Sequence, residues 1–168
     1  MEFNIGDHHY LMRRAKTTDG PEIRQLIRKI LPAFDPAYSG DGGENDLDNL
    51  QETYYKKNGT FLVIVFQGNI IATLGLRPMD DGCAKLRKMY VDPAHRGNGL
   101  GELLVNKAVA IAGESCFAKV RLETMTAMAS AVKLYHRLGF ENIPAIAVSA
   151  RCDLVMEKKI HPADGLFK

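Results

Sequence analysis

The stretch VDPAHRGNGLGELLV, Val91 to Val105, places Gly97, Gly99 and Gly101 at alternate positions between a strand-like run and a helix-like run. Glycine at that density costs backbone entropy, so something must approach the bare main chain. A glycine-rich turn that opens a helix aims several N–H groups at one point, backed by the positive end of the helix dipole. Phosphate is the natural guest of such a loop. A Walker A loop would need Lys and Ser or Thr after its last glycine, but Gly101 is followed by Glu102. A dinucleotide fingerprint could use Gly97 and Gly99, with Glu123 as its distant acid, but it requires glycine where Glu102 stands. The strand opening such a fold is also buried on both faces and continuously apolar. Here it is AKLRKMYV, with Lys85, Arg87 and Lys88, and it lies mid-chain after a hairpin.

The elements that must position this loop are legible around it. YLMRRA, from Tyr10 to Ala15, reads as a first strand. Thr18 and Asp19 are cap residues ahead of Pro21, and Ile23, Leu26, Ile27 and Ile30 recur at helical spacing. Residues 32–49 form a loop rich in Gly, Asp and Pro, and LDNLQETYYKK reads as a second helix. TFLVIVF and IIATLGL flank Gln67-Gly68-Asn69 as a β-hairpin. Asp80-Asp81-Gly82 turns the chain into the strand CAKLRKMYV. After the glycine loop, Leu100, Leu103, Leu104, Ala108 and Ile111 make an apolar stripe ending at Gly113, and AKVRLET is the next strand. Ala131, Leu134, Tyr135 and Leu138 make a second stripe, closed by Gly139-Phe140 in a Schellman-type stop. IAVSA and CDLVMEKKI finish as strands. The order implies mostly antiparallel pairing around one right-handed parallel crossover that carries the glycine loop.

Arg96-Gly97-Asn98-Gly99-Leu100-Gly101 matches the R/Q-x-x-G-x-G/A signature of the GNAT superfamily of acyl-CoA-dependent N-acyltransferases. The preceding MYVDPAHR and the later AVKLYHRLGF resemble that family's other segments in order and separation, so the likeness runs from about Phe61 to Lys158. It implies an α/β GNAT fold: a mixed, mostly antiparallel central sheet of about seven strands, helices on both faces, and a parallel strand–loop–helix–strand core that binds acetyl-CoA. The resemblance assigns the coenzyme pyrophosphate to backbone N–H groups from Arg96 through Gly97, Asn98, Gly99 and Leu100 to Gly101. It assigns the pantetheine arm and the acetyl carbonyl to the main chain of Met89, Tyr90 and Val91.

Transfer of an acyl group from a thioester to an amine needs a neutral amine, donors for the developing oxyanion and a proton for the leaving thiolate. By resemblance, Glu123 in LETMTAM takes the base position and Tyr135 in the Leu-Tyr-x-x-x-Gly-Phe segment the acid position. Glu123 equally reads as a charge-paired strand residue beside Lys119 and Arg121, and Tyr135 also suits the core on its apolar stripe. Met128 departs from the family where many relatives carry an Asn that binds pantetheine, so the coenzyme contact there must be lost or replaced. Asp35, Asp41, Glu44, Asp46 and Asp48 crowd the variable segment, where a negative field would attract a cationic amine. The expectation is a ternary-complex N-acetyltransferase with acetyl-CoA as co-substrate and a primary amine as acceptor. Its rivals are an acyltransferase for a protein amine and a non-catalytic coenzyme-A sensor.

Composition bounds the partners. The 168 residues, 46% hydrophobic and 25% charged with a net charge of +2, read as one domain, residues 1–168, without a basic stripe for nucleic acid. No apolar run reaches the ~20 residues of a membrane span. Cys83, Cys116 and Cys152 are scattered, which reads as reduced thiols in the cytoplasm. The histidines show no metal-ligand spacing. A homodimer is compatible with this composition.

Overall fold

The computed structural model describes residues 1–40, 44–79, 81–145, 147 and 149–161. Among them lies an eight-stranded sheet in the order β1-β2-β3-β4-β5-β6-β8-β7. Its strands are β1 (Glu2–Ile5), β2 (His8–Arg14), β3 (Thr60–Phe66), β4 (Asn69–Pro78), β5 (Cys83–Val91), β6 (Lys119–Thr124), β7 (Glu141–Asn142) and β8 (Leu154–Lys159). The helices are α1 (Gly20–Ile30), α2 (Leu100–Glu114) and α3 (Ala129–Arg137). Every described pairing is antiparallel except β5 with β6, the crossover that carries α2.

Helices cover both faces, as expected. α2 and α3 pack Leu100, Leu104, Val105, Ala108 and Tyr135 onto one face, where Leu74, Leu86, Val120 and Leu122 alternate inward from the strands. On the other face, α1 buries Ile23, Leu26, Ile27 and Ile30 beside Phe61 and Val63. Each such side chain contributes about 1.5–3 kcal/mol on leaving water. Asp19 sets the start of α1, accepting the Lys16 N–H at 2.7 Å and the Arg13 guanidinium at 2.6 Å. At its far end the winding tightens into a 3-10 turn, Leu31–Ala33, because Pro32 has no N–H to continue an α-helix.

Three expectations differ. An additional strand, β1, precedes the one anticipated, pairing Phe3 with Tyr10, and the two-residue β7, also unanticipated, pairs with β8, so the sheet is eight strands wide. LDNLQETYYKK is not an α-helix but 3-10 turns at Asn45–Leu47 and Lys56–Asn58 around a π turn at Gln51–Tyr55. Its tyrosines are anchored elsewhere, Tyr54 donating to Asp46 Oδ2 and Tyr55 to the Ala15 carbonyl, both at 2.5 Å, and these ties override the local period. Within IAVSA, Ala147, Ser149 and Ala150 are not in a strand, and Ile146 and Val148 lie outside the described residues. Asp80 of the expected turn also lies outside them.

Candidate active site

β5 and β6 run together only from Cys83 opposite Lys119 to Leu86 opposite Leu122. Beyond that point they part. β6 continues against β8, Glu123 facing Val155 and Thr124 facing Leu154. β5 stays with β4, but its register shifts between Thr73 and Gly75. The shift is a bulge at Lys88, a non-glycine residue at φ +50°. Its carbonyl accepts from Thr73 Oγ1 at 2.8 Å, and its buried ammonium lies 3.0 Å from Asp46 Oδ1. Past the bulge, Tyr90 pairs with Thr73 and Val91 with Ala72, which leaves the opposite edge of β5 facing the gap.

That gap is a cleft of about 720 Å³, within the range typical of ligand sites. Met89, Tyr90, Val91, Arg96, Gly97, Gly99, Leu100 and Gly101 all line it. Asn98, the remaining member of the expected set, turns its amide back to the His95 carbonyl at 3.4 Å. Gly97 and Gly99 take φ of +81° and +75°, and a Cβ built on either meets nothing within 4 Å. Their need is conformational, and the space beyond them is open to a ligand. Gly101 is different: a Cβ there would lie 2.8 Å from Met89 Cε and 3.3 Å from Leu134 Cδ2. It lets α2 sit against β5 and α3. The first N–H groups of α2 have no intrahelical acceptor and carry the dipole's positive end into the cleft. Asp92 holds the loop's entry, taking the Ala94 N–H at 3.0 Å and Lys29 of α1 at 2.6 Å.

Sequence reasoning missed the other wall. Phe34 lines the cleft from beyond α1, as do His95 and, from α3, Ser130, Lys133 and Arg137. The α3 residues share one flank of the helix with Leu134 at spacings of three and four, a signal present in the sequence but masked by attention to the apolar stripe. Met128 does line the cleft, at the N-cap of α3 and partly buried.

Tyr135 lies beneath this wall, 4% exposed. Its neighbours Ala131 and Leu134 line the cleft, and its ring meets Phe140 edge-on at 5.8 Å. The Schellman stop is formed as anticipated: Phe140 N–H donates to the Tyr135 carbonyl and Gly139 N–H to that of His136, both at 3.0 Å. Burial raises the phenol's pKa well above its ordinary value, and the nearby Tyr90 phenol pushes the same way. Glu123 sits where β6 leaves β5, its carboxylate held by Lys85 and by the Ser149 N–H at 3.0 Å. It shares Cys152 with Tyr90 as an electrostatic neighbour.

The described acids of the variable segment are stitched to cations. Asp46 meets Arg87 at 3.3 Å as well as Lys88, Asp48 pairs with Arg24, and Asp35 lies 3.9 Å from Arg151. Glu44 accepts from the Tyr38 hydroxyl, and Arg24 is 4.0 Å away. Burial, followed by that hydrogen bond, pushes Tyr38 up to about 12. Asp41 lies outside the described residues. Among the described residues no group of acids, histidines and cysteines could hold a metal ion, and no helix is long and apolar enough to cross a membrane. The three cysteines are free thiols.

A strand splay facing a glycine-rich helix entry frames this cleft. Residues 24–140 match the model of the acetyltransferase (GNAT) family, and the chain belongs to that family of acyltransferases. It is 31% identical over 147 residues to the uncharacterized N-acetyltransferase YjgM of Escherichia coli K12, covering 83% of this chain and 87% of that protein. Among solved structures, a GNAT-family acetyltransferase from Staphylococcus aureus Mu50 superposes with a TM-score of 0.79 at 21% identity, over 90% of this chain and 99% of the other. The PaiA N-acetyltransferase from Thermoplasma acidophilum, solved in complex with coenzyme A, does so with a TM-score of 0.72 at 17% identity, over 89% and 98%. At such identities the structural likeness is one of fold.

Proposed function

We propose that this protein moves an acetyl group from acetyl-CoA to a primary amine by direct attack within a ternary complex. The observation that carries this reading is the parting of β5 from β6 opposite the open glycine cradle. The residues fit the coenzyme. The N-terminal amides of α2 would hold its pyrophosphate, and the edge of β5 from Met89 to Val91 that faces the gap would pair with its pantetheine arm. The coenzyme supplies an acetyl thioester, an acyl group activated toward amines. The chain's own residues do the rest. Main-chain groups at the bulge orient the acyl carbonyl, and a cleft that fixes both reactants contributes a large effective molarity.

Tyr135 is the proton donor to the leaving sulfur in this reading; burial keeps it protonated throughout the working range. Glu123 receives the amine proton. The acceptor is met on the side of Tyr90 where Tyr38, Glu44 and Arg151 gather. With Asp35, Glu44, Asp46 and Asp48 set beside cations, the reading does not require a cationic amine.

The test has two parts. Calorimetry should show acetyl-CoA binding to the folded protein and NAD failing to bind, and Gly99→Val should abolish acetyl-CoA binding in a variant that still folds. Thiol release over a panel of polyamines, amino acids and peptide N-termini then identifies the acceptor. Unchanged acetyl-CoA affinity in folded Gly99→Val would overturn the site, and binding without turnover on any amine would favour the coenzyme-sensor reading.

A further inference from the structure

The cleft contains more positive charge than the glycine cradle needs, and its cations are not equivalent. Arg96 is occupied, its Nε donating to the Val91 carbonyl at 3.0 Å and its guanidinium 6.0 Å from the Phe34 ring centroid. Arg137 is held at 2.5 Å by Glu102, in the first turn of α2. His95 pairs through Nδ1 with the Tyr10 hydroxyl at 3.3 Å and rests edge-on against Phe66. Lys133 lines the same cleft, is exposed, and has no hydrogen-bond or ion-pair partner among the described residues. It stands one turn before Arg137 on α3, next to Leu134, which touches the Gly101 turn. It therefore flanks the helix entry without belonging to it.

Backbone amides and a half-charge of helix dipole suit the shared charge of a pyrophosphate diester. A phosphomonoester carries close to two charges on one phosphorus at neutral pH, and a mobile ammonium is a fitting point-charge partner for it. Coenzyme A carries both groups: the pyrophosphate within its chain and a phosphomonoester on the 3′ carbon of its ribose. We propose that Lys133 recognises the 3′-phosphate and makes this cleft selective for coenzyme A over its 3′-dephospho form. Arg137 contributes by neutralising Glu102, which would otherwise oppose both phosphate groups from the first turn of α2. This inference rests on the coenzyme reading above and extends it to a residue outside the family's glycine motif.

The experiment is calorimetric binding of coenzyme A and of 3′-dephospho-coenzyme A to wild type and to Lys133→Met, which keeps the apolar stem. Wild type should favour coenzyme A by about tenfold or more, the scale of one charge-assisted contact. Lys133→Met should lose most of that preference, weakening coenzyme A while leaving the dephospho form nearly unchanged, and its salt dependence should flatten. Equal weakening of both ligands would overturn the proposal by placing Lys133 on the pyrophosphate. No change in either would return it to a solvated surface lysine. Failure of wild type to bind either molecule would instead remove the coenzyme reading itself, which separates the two outcomes.

Discussion

A phenol 4% exposed, with its ring against Phe140 and its pKa raised by burial and by Tyr90, differs from one in water. It stays protonated where an ordinary tyrosine, with a pKa near ~10, begins to ionise. Its driving force toward a thiolate is correspondingly smaller, so its value as an acid depends on placement. Tyr135→Phe keeps the ring and the Schellman stop, and the fold should survive. The kcat should fall by ~10²–10⁴-fold with acetyl-CoA affinity nearly unchanged, and the loss should shrink for donors with a more acidic thiol. Wild-type kcat should show no phenol-linked decline up to pH ~10. Turnover of Tyr135→Phe at the wild-type rate would return this tyrosine to the core alone. Glu123 answers to a paired measurement. Glu123→Gln should abolish the acidic limb of kcat/KM if the carboxylate takes the amine proton. A lowered Tm with that limb intact would instead make Glu123 the strand partner of Lys85.

The bulge in β5 is an element-scale device, and its anchor is Asp46. That carboxylate, 8% exposed, meets Lys88, 9% exposed, while Tyr54 donates to it at 2.5 Å. Lys88 adopts φ +50°, a conformation an L-residue holds only when its surroundings demand it. Asp46→Asn takes a buried anion from beside the Lys88 ammonium and should cost about 3–5 kcal/mol, the penalty of breaking one side of a buried pair. With the bulge relaxed, acetyl-CoA binding should weaken too. Adding Lys88→Met should restore much of the stability. A raised KM for the amine with an unchanged Tm would instead show that Asp46 faces substrate. The sequence alone suggested that steering role, because Arg87 and Lys88 are about forty residues from Asp46 and nothing local announces the pairing. Where signals were local, reading succeeded: the Gln67-Gly68 hairpin, the Gly139-Phe140 stop and the glycine loop stand where expected. Where remote anchors decide, as for Tyr54 and Tyr55, helical spacing gave the wrong element. The β1 strand was legible in principle, since Phe3 and Ile5 alternate with Glu2 and Asn4 ahead of the Gly6-Asp7 turn.

At the scale of the whole molecule, α1 is fastened to the sheet at both ends by a carboxylate, and the second fastening adjoins the cleft-lining residues Ile30 and Val91. Asp19 ties its start to Arg13 of β2 at 2.6 Å. Asp92, at the end of β5, ties its last turn through Lys29 at 2.6 Å and caps the turn that leads into the glycine loop. Burial alone would raise both carboxyls. For Asp19 the bonds from Arg13 and the Lys16 N–H outweigh it, and for Asp92 those from Lys29 and the Ala94 N–H do, so both pKa values fall below the ordinary range. A folded pKa below the unfolded value of ~3.9 gives stability that is fully present above that pH and lost as pH falls through the folded value. Wild type should therefore lose stability steeply below pH ~4. Asp19→Asn and Asp92→Asn should each start from lower stability at neutral pH and show a shallower acid decline by chemical denaturation. Their effects on ligand should diverge. Asp19→Asn should leave acetyl-CoA affinity near wild type at neutral pH, whereas Asp92→Asn should weaken it, because the loop's entry loses its ion pair to Lys29. Equal ligand effects in the two variants would mean that α1 transmits to the cleft as a rigid body. Acid curves identical to wild type would place acid sensitivity in other carboxylates.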